Sequence, residues 1–179
     1  MLDIAVAYRR YQFIGDEFLT WLWYVIENDP RRLNKIDSDL ASLEIGSRMV
    51  LANRHQKDSG ETVTIKGEEA NMDEGLVALR KGAMVAEVNL VYRSGDNEWR
   101  FNLKGESLNF SRLKVPETGK VETQEDIEGA VIEKIFLCEK VINLINDLFH
   151  YFIKLRVSND WSAKTVPAMR KWITPSKAV

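Results

Sequence analysis

Between residues 14 and 27 apolar side chains crowd almost the whole circumference of a helical projection. Only Thr20, Tyr24 and Glu27 form a partly polar stripe. Asp16 and Glu17 fall where a first helical turn favours acids. With Gly15 as N-cap, Ile14 and Leu19 take the spacing of a hydrophobic staple. Asn28-Asp29-Pro30 supplies the stop, because proline disfavours helical geometry in the residue before it. The pattern predicts a short, Trp-rich core or interface helix.

Residues 31–46 read as a polar connector pegged by Leu33, Ile36, Leu40 and Leu43. Strand signals follow at 48–53 and at 61–66, where Val63 and Ile65 share a face. The stretch 55–60 between them has loop composition. A short helix is predicted over 72–81, with Gly82 at its C-terminal cap. Next, Met84, Ala86, Val88, Leu90 and Tyr92 alternate with polar residues, as do Trp99, Phe101 and Leu103 beyond Ser94-Gly95-Asp96-Asn97. That is an antiparallel hairpin. Leu108 and Phe110 keep the phase, but Leu113 and Val115 reverse it, which predicts a bulge or a strand end near Ser111-Arg112.

After a linker at 116–124, with Thr123 placed to cap, the longest element runs over 124–157. Val131, Ile135, Cys138, Ile142, Ile145, Phe149 and Phe152 step by four and three residues in an unbroken heptad seam. Ser158-Asn159-Asp160 breaks it, and a last short helix is predicted over 166–173. The fold class is therefore α+β: a mostly antiparallel sheet (47–115) packed on a long C-terminal helix, with the Trp-rich helix on another side, in a single domain over 1–179. Trp21 and Ile142 are expected in the core. The two apolar helices together offer more face than a domain of this size hides, so a homodimer is expected, with Trp21, Trp23 and Tyr24 as interface candidates.

Composition narrows this picture. In 179 residues, 25 Lys and Arg against 27 Asp and Glu exclude a chain wrapped in bases but leave room for a local basic patch. One cysteine excludes an internal disulfide framework and a multi-thiolate zinc site. No apolar run approaches the roughly 20 residues that span a bilayer, and the acidic start Met1-Leu2-Asp3-Ile4 lacks the basic opening of a signal peptide. The chain reads as cytoplasmic, with no membrane partner.

Candidate chemistry is sparse. His55 sits in a loop with Lys57 and Asp58, and His150 on the polar stripe of the long helix within hydrogen-bond spacing of Asn146 and Asp147. Each reads as a solvated or hydrogen-bonded structural histidine. Cys138 lies mid-helix, away from the cations or helix N-terminus that activate a thiol, so it reads as packing. Glu68-Glu69, Asp73-Glu74 and the acids of 122–128 are local runs rather than opposed catalytic pairs. No phosphate loop, nucleophile elbow or zincin helix is present. The expectation is no enzyme, no cofactor and no metal. Two basic sets stand out as candidate phosphate contacts: Arg93, Arg100, Lys104 and Arg112 on the outward face of the hairpin sheet, and Lys164, Arg170 and Lys171 in a C-terminal stretch whose only acid is Asp160.

The string Glu17-Phe18-Leu19-Thr20-Trp21-Leu22-Trp23-Tyr24 resembles a signature of RdgC-like recombination-associated proteins. The likeness continues through Glu61 to Glu68, Ala78 to Gly82, Val85 to Leu90, Trp99 to Leu103, the long helix and Trp161 to Trp172, covering most of the chain. It is similar to the C-terminal half of longer family members. What the resemblance implies is a non-enzymatic protein of the cytoplasm and nucleoid. It would dimerise into a ring around duplex DNA, bind without sequence preference and affect recombinase loading. The alternative is a self-assembly or protein-interaction module that no longer binds DNA.

Overall fold

The two period-two segments flanking Gly95 form the centre of the fold. β3 (Met84–Ser94) and β4 (Asn97–Lys104) pair antiparallel from Ser94↔Asn97 to Glu87↔Lys104 across a two-residue turn. The computed structural model describes residues 14–37, 40–53, 62–66, 72–119 and 123–174. His55 with its loop and the Glu68-Glu69 pair lie outside the described residues. Three further strands, β1 (Ser42–Ala52), β2 (Thr62–Lys66) and β5 (Phe110–Lys114), complete an antiparallel sheet of order β2-β1-β3-β4-β5. With helices α1 (Ile14–Asn28), α2 (Met72–Arg80), α3 (Gln124–Arg156) and α4 (Val166–Ile173), the chain is α+β. No helix among the described residues is long and apolar enough to cross a membrane.

One face of the sheet is the floor of the core. Val88, Leu90 and Tyr92 of β3 stand beside Leu103, Phe101 and Trp99 of β4, all buried, and α1 lies over them. Phe18, Trp21 and Trp23 of α1 are fully covered. Phe18 meets Phe149 and Phe152 of α3 at 5.2 and 5.5 Å, and Trp21 stacks on Tyr151 at 5.9 Å. Each Phe or Leu buried here contributes about 1.5–3 kcal/mol against the entropy of ordering the chain. Trp172 of α4 closes the far side edge-on to Trp23, 4.9 Å away.

Local rules place the ends of several elements. The Gly82 and Ala83 amides return to the Leu79 and Ala78 carbonyls, with φ +90° at Gly82, so α2 closes in the left-handed cap its glycine predicts. α3 opens on a reciprocal cap: the Asp126 amide donates to Thr123 Oγ1, and the Thr123 amide donates to Asp126 Oδ2.

Four expectations change. Gly15 is not an N-cap, because the helix already includes Ile14. Its lack of a side chain serves close approach instead: a Cβ there would sit 1.7 Å from the Gly105 carbonyl oxygen. β1 begins at Ser42 rather than at 48. An irregularity between Ile45 and Met49 breaks the alternation that a strand would show in sequence. Ile142 is 41% exposed, not core, because α3 turns Leu137, Val141, Leu144 and Leu148 to the sheet and leaves the adjoining seam outward. Trp21 and Trp23 are 0% and 1% exposed, so neither offers a contact surface, and Tyr24 is half-buried against Trp172.

Candidate nucleic-acid interface

The face of the sheet turned away from the helices is polar because alternation puts it there. Glu87, Asn89 and Arg93 of β3 lie between the core residues of the same strand, as do Glu98, Arg100, Asn102 and Lys104 of β4. In the middle of this face lies an open groove of about 550 Å³. Its charged lining is Arg48, Lys66, Arg100, Arg112 and Lys114, and its floor is Ser47, Asn89 and Asn102. All five strands contribute, across about 19 Å at the usual strand spacing. None of these residues is aromatic.

Strand register assembles the cations. Arg48 of β1 stands opposite Lys66 of β2, and Arg100 of β4 opposite Lys114 of β5. Between Ser111 and Lys114 the strand carries one extra residue, with Arg112 at φ +54°. This bulge, where the reversed phase predicts one, turns Lys114 rather than Leu113 to the outer face. On the other side, the Asn89 side chain fills the break in β1. Its Oδ1 accepts from the Ser47 amide at 3.2 Å, and its Nδ2 donates to Asn102 Oδ1 at 2.7 Å. Asn102 in turn donates to Glu87, 3.2 Å away, and Arg48 approaches the same carboxylate at 3.6 Å. The amides are thereby fixed, with the cations standing around them.

The predicted residues separate into groups. Arg100 and Arg112 line the groove. Arg93 lies on the same face but is engaged by Glu44 at 2.6 Å and Glu98 at 2.9 Å, while Glu98 also accepts from Arg100 at 2.7 Å. Hydrogen bonds from Arg93 and from Arg100 hold the Glu44 and Glu98 carboxyls, respectively, below the usual carboxylate range. Lys104 is exposed at the end of β4, outside the groove lining. The C-terminal bases are on the helix side: Lys164 pairs with Asp160 at 3.0 Å, Arg170 edges an apolar pocket with Glu17 and Trp172, and Lys171 is exposed on α4. The sheet stands between the two sets, so they do not form one surface.

Arg48, Lys66 and Lys114 are missing from the sequence-based candidates. Lys66 and Arg48 sit in strands whose pairing the pattern does not disclose, and Lys114 depends on the bulge. A signal was available in Asn89 and Asn102, since asparagine is depleted in strands and two of them on one face mark a polar purpose. No protein-family model matches the chain, and no curated protein matches it.

Proposed function

We propose that this chain is a non-enzymatic, RdgC-like DNA-associated protein that binds the nucleic-acid backbone, without reading sequence, along the outer face of its sheet. The groove carries the reading: five cations converge there around amide and hydroxyl groups, the chemistry of phosphate recognition. Its span of ~19 Å equals five to six base-pair steps at ~3.4 Å. The absence of aromatic groups in the lining favours backbone contact over stacking on unpaired bases. Five phosphate contacts set a log–log salt slope no steeper than about −4.5 per chain. Titration of labelled duplex and single strand by fluorescence anisotropy at several salt concentrations tests this. Salt-sensitive binding that is indifferent to sequence and no weaker for duplex supports it, and no binding at low salt contradicts it.

A second reading, a self-assembly module, is favoured by a separate observation. Ile132 and Phe136 of α3 are 68% and 65% exposed on a helix segment that the sheet does not cover.

A further inference from the structure

We infer that the outer end of α3 is a self-association surface, and that its occupant is the same helix of a second copy. This rests on the self-assembly reading and gives it a site.

α3 carries two apolar faces. One, Leu137, Val141, Leu144, Leu148 and Phe152, is buried on the sheet and α1. That face stops at Leu137, whose carbonyl accepts from Trp99 Nε1 at 2.9 Å, because the positions one and two turns earlier are Glu133 and Ala130. Upstream, the apolar residues move around the helix. Ile127, Val131, Ile132, Ile135 and Phe136, with Ile142 further on, are each 41% exposed or more. Along residues 124–136 only Ala130 is even half-buried. The segment continues a helix whose later turns are docked, so it stays helical while its apolar side chains meet water.

Spacing and area point to a second copy as the partner. Val131, Ile135, Cys138 and Ile142 step by four, three and four, a repeat suited to packing on another helix. The six exposed side chains amount to apolar surface on the order of 500 Å². Two copies facing one another then bury on the order of 1,000 Å², the size at which specific interfaces begin. Charge sets the direction. Glu125, Asp126 and Glu128 crowd the first two turns, so parallel pairing opposes them to their own copies. Antiparallel pairing moves them apart, toward a stretch in which Lys134 and Lys140 balance Glu133 and Glu139.

Light scattering on the eluting full chain, from low to high micromolar concentration, gives the mass of the wild type and of Val131→Glu/Ile135→Glu. Both replaced side chains are more than half exposed, so far-UV circular dichroism should be unchanged. A milder pair, Ile132→Ser/Phe136→Ser, serves if the first misfolds. The expected result is a two-chain mass for the wild type and a one-chain mass for either variant. A one-chain wild type at high micromolar concentration overturns the self-assembly reading itself. A two-chain mass that persists in folded variants overturns only this placement of the interface.

Discussion

Arg112 holds a left-handed backbone conformation, φ +54°, that costs an ordinary side chain about 1–2 kcal/mol and glycine almost nothing. A long cation kept at such a position pairs a local cost with a place in the groove. Arg112→Gly is therefore expected to fold with no loss of stability in a urea melt and yet to bind DNA more weakly. A destabilised variant with unchanged affinity would make Arg112 a structural residue. Trp21 gives the opposite kind of test. It is fully buried, and its Nε1 donates to no acceptor among the described residues. Trp21→Ala should cost about 3–5 kcal/mol, and Trp21→Phe distinctly less, because no hydrogen bond is lost with the indole. Equal losses in denaturant melts would show that the nitrogen matters.

Glu98 couples charge to both stability and binding. Its carboxyl is lowered mainly by the hydrogen bond from Arg100. Such a group contributes stability above its unfolded value of 4.5 and loses it as pH falls through the lowered folded value. The site is open to solvent, so the contribution is small. The melting temperature of Glu98→Gln should fall slightly below wild type at neutral pH, and the gap should narrow as the pH falls below 4.5 and close beneath the lowered folded value. The same change releases Arg93 and Arg100 from a carboxylate, so DNA affinity at neutral pH should rise. Unchanged affinity would place Arg100 outside the contact.

At the scale of elements, what could be read from the sequence depended on whether a segment's partner was local. The hairpin around Gly95, the α2 cap at Gly82 and the Thr123 start of α3 each rest on residues a few positions apart, and all formed as the pattern predicts. The start of β1 was hidden because Gly46 and Ser47 interrupt the alternation, and the residue that fits the gap, Asn89, is 43 positions away from Gly46. For α3 the period was legible but the neighbour was not. A heptad seam reports an apolar stripe, and the structure gives its second half to the core and its first half to solvent. The groove was legible only at Arg100 and Arg112, since its other cations meet through pairing between distant strands. Gly46 tests this assembly. A Cβ there would lie 2.1 Å from Asn89 Oδ1, so Gly46→Ala should displace Asn89, cost about 1–3 kcal/mol in a urea melt and weaken DNA binding as the floor shifts. A variant as stable as wild type would mean that Asn89 moves freely and fixes nothing.

For the whole molecule, the sheet divides two basic populations that look alike in sequence. Lys66, Arg112 and Lys114 face the groove and form no ion pair among the described residues. Arg170 and Lys171 lie with the helices on the opposite side. A net charge of −2 gives the chain no general attraction for polyanions, so a specific face must supply it. Swapping the two sides separates them. The salt dependence of duplex binding is measured for Lys66→Ala/Lys114→Ala and for Arg170→Ala/Lys171→Ala. The sheet variant should bind every sequence more weakly, with a log–log slope shallower by about two, one per lost phosphate contact, while the helix-side variant keeps the wild-type slope and affinity. Loss of binding in the helix-side variant, with the sheet variant unchanged, would contradict the account.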